Sequence, residues 1–371
     1  MNKVVFIPER IFDGDQFSSG RAVEVVDDKI TGIISSNSIP AEVPAKSLPG
    51  LLLAPAFIEL QIYGGDGQMF SLFPSVKSLT ATYEYCVRGG ATHFMATVAT
   101  NSDEIMYKAI DAVNEYWRQG LPGLLGLHLE GPYLNPAKKG AHLTQFIRKP
   151  SLREVKSLVE AGKDAFRMMT LAPECCDHEI IRYLIDQHVL VSAGHSNATY
   201  EQAMNAFALG IPTATHLYNA MSPFQHRAPG LVGAIFDSNL YSSIVADGIH
   251  VDFAAVRVAK KIMGKRLFLI TDAVTEARTD SYTYLFNKDR YITENGTLAG
   301  SCLTLGKAVK NLIEYVHIEA EEALRMASLY PAQVAGKANQ LGKIAPGYQA
   351  DMVMMDKDFN VKNTIISGKM K

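Results

Sequence analysis

Eight apolar runs of strand length constrain what this chain can fold into. Longer segments separate the runs, and several of these segments have helical period, among them residues 152–161 and 200–208. The runs are residues 56–62, 92–98, 124–130, 166–171, 189–195, 212–216, 243–247 and 266–272. Apolar strands that alternate with helices are typical of a parallel sheet with crossover helices. The pattern therefore predicts an α/β fold, the (β/α)8 TIM barrel, followed by two more helices at 307–316 and 320–328.

The two ends of the chain predict a second, smaller sheet. β-Branched residues recur in segments near both termini, which are residues 3–7, 22–35, 351–356 and 364–367. We therefore expect both termini to supply strands to one small β-sandwich domain, residues 1–52 together with 341–371, while residues 53–340 form the barrel. No G-x-G-x-x-G motif follows the first barrel strand, which counts against a dinucleotide-binding sheet.

Composition excludes several classes of protein. With 371 residues, 47% of them apolar and 20% charged, the chain can bury a sizeable core and is not disordered. A formal charge of -2 gives no basic field for nucleic acid or an anionic membrane, so we expect a small-molecule ligand. The apolar start stops at Pro8, too early for a signal peptide, and no 18-residue apolar run follows. We expect a cytoplasmic protein whose four cysteines are reduced thiols.

Carboxylate and imidazole groups end four of the predicted barrel strands. These groups are Glu130, His195, His216 and Asp272. The carboxyl ends of barrel strands converge on one face, where catalytic groups lie in such barrels. Two imidazoles and one carboxylate are a common ligand set for catalytic zinc and leave one position for water. We therefore predict a metal site formed by Glu130, His195 and His216, although each residue alone is more often a hydrogen-bonded structural group.

Asp272 has three interpretations on this pattern: a fourth metal ligand, a general base, or the N-cap of a following helix. Because three protein ligands already satisfy an open zinc site, the base is the economical choice. As a base, Asp272 would take a proton from a water whose pKa the metal lowers to about 7, and would later return it to the leaving group.

Further polar groups follow the strands that carry the predicted ligands. The loop after the third strand contains His142 and could bring its imidazole over the metal. Asn219 and Arg227 follow the sixth strand, and His250 follows the seventh. A guanidinium suits bidentate contact with a phosphate or carboxylate, although a lone surface arginine is usually just solvated.

Short motifs occur in a fixed order along essentially the whole chain. They are Pro49-Gly50, Ala54-Pro-Ala-Phe-Ile-Glu-Leu-Gln61, Gly126-Leu-His-Leu-Glu-Gly-Pro132, Lys139-Gly-Ala-His142, Ser192-Ala-Gly-His-Ser196, Thr215-His-Leu-Tyr-Asn-Ala-Met221, Ala246-Asp-Gly-Ile-His250, Thr271-Asp-Ala273 and Gly296-Thr-Leu-Ala-Gly-Ser301. Any one of them is weak, but their common order is very specific. In this order the chain resembles the N-acetylglucosamine-6-phosphate deacetylases of the amidohydrolase superfamily.

The resemblance implies a metal-dependent hydrolase that converts N-acetyl-D-glucosamine 6-phosphate to D-glucosamine 6-phosphate and acetate in amino-sugar recycling. It implies one divalent metal per subunit, expected to be zinc, on Glu130, His195 and His216. Asp272 matches the catalytic base and acid, and we expect His142 to stabilise the oxyanion. The positions that match substrate contacts are Ala141, His142, Asn219, Ala220, Arg227, His250, Leu298, Ala299 and Gly300. In this family the arginine that matches Arg227 reaches the phosphate bound by a neighbouring subunit, so a homodimer is implied.

The first strand departs from the wider superfamily, most members of which end it with His-x-His and bind a second metal. Gln61 and Tyr63 take those positions here, and neither is a good ligand for a divalent metal. No lysine ends the fourth strand at 169–171, so a carbamylated bridging lysine is absent too. The chain therefore resembles the single-metal branch. The lid-like segment 273–280 lacks the glycine that the family often has there, so tolerance for changes on the sugar ring could differ.

Three alternatives stay open. The same chemistry could act on another sugar phosphate, such as N-acetylgalactosamine 6-phosphate. A nucleobase deaminase or cyclic amidase could use the same barrel, but the missing His-x-His and the presence of Arg227 argue against it. A metal-free binding or scaffold protein could keep the fold, but the intact set of four polar groups argues against that. The same ligands also accept iron, cobalt or manganese.

Overall fold

The computed structural model of the chain describes residues 2–279 and 282–371, so Asp280 of the predicted lid-like segment lies outside the described residues. The β-strands are β1 (Lys3–Phe12), β2 (Phe17–Ser19), β3 (Arg21–Val26), β4 (Lys29–Ser35), β5 (Ala45–Pro55), β6 (Phe57–Ile62), β7 (Gly64–Gly65), β8 (Gln68–Met69), β9 (Ala91–Ala99), β10 (Leu124–Glu130), β11 (Phe166–Leu171), β12 (Leu190–Ala193), β13 (Thr213–Ala214), β14 (Tyr241–Ile244), β15 (Leu267–Leu269), β16 (Ala277–Arg278), β17 (Thr283–Asn287), β18 (Arg290–Ile292), β19 (Leu298–Ser301), β20 (Met352–Met355), β21 (Val361–Ile366) and β22 (Lys369–Met370). The α-helices are α1 (Val76–Arg88), α2 (Asp103–Arg118), α3 (Leu152–Gly162), α4 (His178–Asp186), α5 (Tyr200–Phe207), α6 (Gly230–Asp237), α7 (Phe253–Met263), α8 (Leu305–Asn311), α9 (Ala320–Ala327) and α10 (Leu329–Val334). No helix within the described ranges is long and apolar enough to span a bilayer.

Eight parallel strands form the predicted barrel. Their order is β6, β9, β10, β11, β12, β13, β14 and β15, and helices α1 to α7 lie in the connections between successive strands. A parallel bridge between Ile62 and Ala273 joins the first strand to the segment after the last one. Next to this bridge, the backbone N–H of Asp272 donates to the carbonyl of Gln61 at 3.1 Å. The prediction of a (β/α)8 barrel is confirmed.

The burial of the barrel strands explains their sequence. All six residues of β6 are buried, and so are five of the six in β11, because strands of a parallel sheet are covered on both faces. Helix α2 buries one face, which carries Met106, Ile110 and Val113. The side chain of Ser102 caps this helix by accepting a hydrogen bond from the N–H of Ile105.

Four barrel strands end earlier than the apolar runs predicted, and three of them precede predicted site residues. The ladders of β12, β13 and β15 stop two or three residues before the polar groups that follow them. Those groups are His195, His216 and Asp272, with φ of 47°, 38° and 55°. A left-handed backbone cannot continue an extended ladder, so these side chains stand on the first residues of the loops. Glu130 remains the last residue of β10.

The seventh barrel strand is Tyr241–Ile244, whereas the apolar run predicted 243–247. Two serines inside it are buried and form hydrogen bonds that replace those to water. Ser242 Oγ donates to the carbonyl of Ala214 at 3.2 Å, and Ser243 Oγ accepts from the N–H of His216 at 2.8 Å. The polar beginning of this strand explains why the apolar run placed its start two residues too late.

Strands from both chain ends form one sheet, as the sequence predicted. Its order is β22-β21-β20-β5-β1-β3-β4, with β2 paired to β1. Strand β5 connects the two ends, because it runs parallel to β1 and antiparallel to β20. Phe6, Val25, Leu53 and Met352 belong to the buried core of this sheet.

The chain divides into two compact units. One consists of Met1–Glu59, Cys86–His93 and Thr304–Lys371, and the other of Leu60–Tyr85 and Phe94–Leu303. The limits expected from the sequence, 1–52 with 341–371 and 53–340, stay a prediction. Within the second unit, β16 to β19 form a four-stranded antiparallel sheet in the region that the sequence indicated as lid-like.

Candidate active site

One pocket is lined by every predicted site residue except Arg227. Glu130 enters it from the end of β10, and the other ionisable groups enter from the loops that follow the barrel strands. The convergence expected for the carboxyl ends of barrel strands is therefore present. The residues that line the pocket are Tyr63, Ala99, Glu130, Gly140, Ala141, His142, His195, His216, Asn219, Ala220, His250, Asp272, Val274, Tyr282, Tyr284, Leu298, Ala299 and Gly300.

Glu130, His195 and His216 form a buried cluster. One ligand atom from each lies within 4.8 Å of the others, and all three side chains are buried. The two Nε2 atoms of His195 and His216 are 3.0 Å apart. Oε1 of Glu130 lies 3.1 Å from Nε2 of His216 and 3.4 Å from Nε2 of His195. This donor set is one that can hold a divalent metal ion.

The hydrogen bonds around His195 favour a metal at this cluster. Nδ1 of His195 lies 2.8 Å from the carbonyl of Lys138, so Nδ1 carries the proton and donates it. The lone pair of the neutral ring is then on Nε2 and faces the cluster, which is how metal-ligating histidines are held. A lone pair that faces a carboxylate oxygen at 3.4 Å is repelled unless a cation lies between them. The residues present therefore fit a bound cation.

Glu130 is ionised in this environment. Burial alone would raise its pKa, but electrostatic interactions with the buried imidazoles, among them hydrogen bonds from His142 and His216, hold the pKa well below its ordinary value. Gln61 Nε2 donates to Oε1 at 2.9 Å, and the hydroxyl of Tyr63 donates to Oε2 at 2.5 Å. Gln61 and Tyr63 thus contact the proposed metal ligand as hydrogen-bond donors, at the positions where the wider superfamily has metal ligands.

Asp272 faces the same cluster and shares these donors. Its Oδ1 lies 2.8 Å from Nε2 of Gln61 and 3.2 Å from the hydroxyl of Tyr63. Burial raises the pKa of Asp272, and the charge of Glu130 adds to the increase while His216 opposes it. A buried carboxylate with a raised pKa accepts a proton more readily than an exposed one, which suits a general base.

His142 is a neutral hydrogen-bond donor in the pocket. Nδ1 accepts from the backbone N–H of Thr100 at 3.2 Å, so the proton is on Nε2, which lies 3.0 Å from Oε2 of Glu130. Burial lowers the pKa of His142 to about 4, and the neighbouring His195 adds to this effect. The ring therefore presents an uncharged N–H beside the cluster.

His250 is oriented by an aspartate of its own loop. Its Nδ1 lies 2.6 Å from Oδ2 of Asp247, whose other oxygen accepts from the backbone N–H groups of Ile249 and His250. Nε2 of His250 lies 3.9 Å from Oδ2 of Asp272. This imidazole therefore presents Nε2 to the pocket beside the candidate base.

Arg227 stands apart from the other predicted site residues. It is exposed on the loop between β13 and α6, within a small turn closed by hydrogen bonds between Gln225 and Ala228. Phe224 on the same loop is 58% exposed. Arg227 therefore does not contact the pocket of its own chain.

The sequence analysis missed the apolar wall of the pocket. Tyr282 directly precedes β17 and Tyr284 lies within it, and their rings stack with centroids 5.8 Å apart. They pack with Tyr63, Ala99 and Val274 in one buried cluster. The alternation of two tyrosines with a threonine at 282–284 is the one signal that could have indicated a strand with a buried aromatic face.

Comparison with known proteins relates this site to a family. Residues 52–371 match the amidohydrolase family. The chain belongs to the amidohydrolase family. This amidohydrolase is 36% identical over 361 residues to N-acetylglucosamine-6-phosphate deacetylase of Haemophilus influenzae, with 94% of each chain covered. It is also 36% identical over 361 residues to N-acetylgalactosamine-6-phosphate deacetylase of a Shewanella species, with 94% of this chain and 91% of that protein covered.

A solved structure resembles this amidohydrolase over its whole length. The crystal structure of N-acetylglucosamine-6-phosphate deacetylase from Pasteurella multocida superposes with a TM-score of 0.96 at 36% sequence identity. The match covers 100% of this chain and 99% of that chain. Family membership and the buried Glu/His/His cluster together identify a metal-dependent hydrolase.

Proposed function

We propose that this amidohydrolase hydrolyses N-acetyl-D-glucosamine 6-phosphate to D-glucosamine 6-phosphate and acetate, as a cytoplasmic step of amino-sugar catabolism. The observation that carries the proposal is the convergence of Glu130, His195 and His216 with Asp272 in one buried pocket. Similarity to the deacetylase of Haemophilus influenzae over nearly the whole chain supports the choice of substrate.

Glu130, His195 and His216 would hold one divalent ion per subunit, and we propose zinc because this ligand set is common in catalytic zinc sites. When bound, the ion would supply Lewis acidity, which makes water more acidic and polarises the amide carbonyl. Gln61 and Tyr63 would keep the carboxylate of Glu130 in a fixed orientation by donating to its two oxygens.

Asp272 would act twice in the reaction. It accepts a proton from the attacking water while the water oxygen bonds to the acyl carbon, and it then delivers that proton to the amine nitrogen as the carbon–nitrogen bond breaks. The neutral Nε2–H of His142 would donate to the acyl oxygen as negative charge develops there. The His142 side chain is buried and that of Asp272 is only 14% exposed, which strengthens these interactions because little water screens them.

The sugar phosphate would be held away from the reacting bond. Asn219, Ala220 and His250 lie on the loops after the sixth and seventh strands and would bind the phosphate and ring, together with Ala141 and the 298–300 stretch, which also line the pocket. We propose that the exposed Arg227 reaches the phosphate bound by a neighbouring subunit, so that the working enzyme is a homodimer. Binding energy from this remote group would orient the amide for attack.

N-acetylgalactosamine 6-phosphate is a second candidate substrate. The Shewanella enzyme named for that substrate is as similar to this chain as the Haemophilus enzyme is. The two sugars differ only in the orientation of one hydroxyl, and the β16 to β19 region beside the pocket is where the chain departs from the expected pattern.

Acetate release tests both candidates. The enzyme, with its metal content measured, is assayed on the two acetylated sugar phosphates and on unphosphorylated N-acetylglucosamine. We expect release from N-acetylglucosamine 6-phosphate, little from the unphosphorylated sugar, and about one metal per chain. Faster release from the galacto epimer would favour the second candidate. Absence of release from either phosphate by metal-loaded enzyme would overturn the proposed reaction.

A further inference from the structure

Tyr282 makes two backbone hydrogen bonds inside the pocket wall. Its hydroxyl donates to the carbonyl of Thr100 at 2.7 Å and accepts from the N–H of Leu143 at 3.2 Å. The side chain is 4% exposed, so water cannot replace these bonds without a local opening. One hydroxyl therefore joins the residue after strand β9 to the loop after strand β10.

The two residues that Tyr282 joins both adjoin His142. Thr100 donates its N–H to Nδ1 of His142, and Leu143 follows His142 directly in the chain. The bond from Thr100 determines which ring nitrogen carries the proton, and hence that Nε2–H faces Glu130 Oε2 at 3.0 Å. Because Leu143 follows His142, the position of the Leu143 N–H constrains the backbone that carries the His142 ring. The Tyr282 hydroxyl is thus bonded to both residues that adjoin this ring.

We infer that Tyr282 is a positioning residue for His142, contributed by the antiparallel segment that follows Asp272. The inference rests on the proposed function, in which the Nε2–H of His142 donates to the acyl oxygen. Tyr282 touches neither Glu130 nor the other cluster residues through its hydroxyl; it acts through Thr100 and Leu143. The stack with Tyr284 fixes the Tyr282 ring, so the folding of β17 and the orientation of the imidazole are coupled.

The test is Tyr282→Phe, which keeps the ring and its stacking but removes the hydroxyl. Tyr116→Phe is the matched control, because Tyr116 is buried in helix α2 and its hydroxyl also donates to a backbone carbonyl, that of Pro122 at 2.9 Å. We expect Tyr282→Phe to lower kcat about tenfold or more with KM changed less than about twofold, since misplacement of a catalytic group affects the reacting geometry first. The control should change neither parameter.

A double-mutant cycle with His142→Ala separates positioning from general destabilisation. If Tyr282 acts through His142, adding Tyr282→Phe to His142→Ala should cause little further loss of kcat. The inference would be overturned if Tyr282→Phe lowered kcat by the same factor with His142 present and with His142→Ala. An unchanged kcat in Tyr282→Phe alone would overturn it too. Should Tyr282→Phe fail to fold, p-aminophenylalanine at position 282 retains a donor to Thr100 and is expected to keep kcat near that of the unaltered enzyme.

A spectroscopic measurement tests the inference independently of turnover. In protein labelled with ¹⁵N-histidine, the His142 signals are assigned by their loss in His142→Ala. We expect a single Nε2–H tautomer in the unaltered protein and a mixture of tautomers or broadened signals in Tyr282→Phe. An unchanged His142 spectrum would overturn the inference. If the unaltered enzyme released no acetate from any sugar phosphate, the proposed function would fail, while this spectrum would still decide the role of Tyr282.

Discussion

The hydroxyl of Tyr63 donates to Oε2 of Glu130 at 2.5 Å, so a buried phenol holds the carboxylate of a proposed metal ligand. Partners of this kind orient metal ligands and usually change metal affinity by about 10- to 100-fold when they are removed. We predict that Tyr63→Phe weakens metal binding within this range while the protein stays folded. Competition with a chromogenic chelator measures the affinity. Tyr116→Phe, which removes a buried hydroxyl outside the site, should leave it unchanged.

Asp272→Asn tests the proposed base. The amide keeps the size of the side chain but cannot accept a proton, so kcat should fall by about 10²- to 10⁴-fold, which is the usual contribution of a general base. The metal content should stay near that of the unaltered enzyme, because the three proposed ligands are intact. Turnover close to normal with metal still bound would show that another group is the base.

Arg227→Ala tests the proposed contact between the exposed Arg227 and the substrate phosphate. We predict a large rise in KM for N-acetylglucosamine 6-phosphate and little change in the slow rate on the unphosphorylated sugar, since only the phosphate loses a partner. The test of a neighbouring subunit is complementation. A dimer of one Arg227→Ala chain and one Asp272→Asn chain has one complete site if the arginine acts across the interface. If co-expression restored no activity, Arg227 would act on the site of its own chain or on neither site.

His93, which does not line the pocket, is expected to make the stability of the protein depend on pH. Burial lowers the pKa of His93 below 6.5 despite the carboxylate of Asp351, whose Oδ2 lies 3.6 Å from Nδ1, and the charge of Lys337 acts in the same direction as burial. The unfolded chain then binds a proton that the folded chain does not, so the stabilising contribution is present above pH 6.5 and is lost as the pH falls through the folded pKa.

The measurement for His93 is urea unfolding between about pH 7.5 and pH 5. The free energy of unfolding should fall with decreasing pH more steeply in the unaltered protein than in His93→Gln. His178→Gln, at an exposed position of helix α4, is the control and should keep the steeper slope. A slope identical in all three proteins would contradict the prediction.

The sequence predicted the part of the site that depends on strand ends. Glu130, His195, His216 and Asp272 stand beside apolar runs, and barrel geometry brings the ends of such runs to one face whatever the loops do. The boundaries were less accurate because apolar character continues past the last ladder hydrogen bond. The left-handed φ values after β12, β13 and β15 cannot be recognised from the hydrophobicity of the sequence.

The rest of the site depends on contacts between distant segments. Gln61 reaches Asp272 only because the first and last barrel strands meet, 211 positions apart in the chain. Sequence analysis could say that Gln61 and Tyr63 are poor metal ligands, but not that they donate to Glu130. Tyr282 lies in a short, irregular antiparallel segment, and its reach to Thr100 depends on how that segment packs.

The left-handed backbone at His195, His216 and Asp272 lowers the stability of the fold, although the proposed reaction needs these three side chains. Each of these residues occupies a conformation that costs a side chain about 1–2 kcal/mol and that glycine adopts without this cost. Selection for stability alone therefore favours glycine at the positions where the proposed reaction needs an imidazole or a carboxylate. A duplicated copy of this gene, released from its catalytic task, would lose its active site while its barrel became more stable.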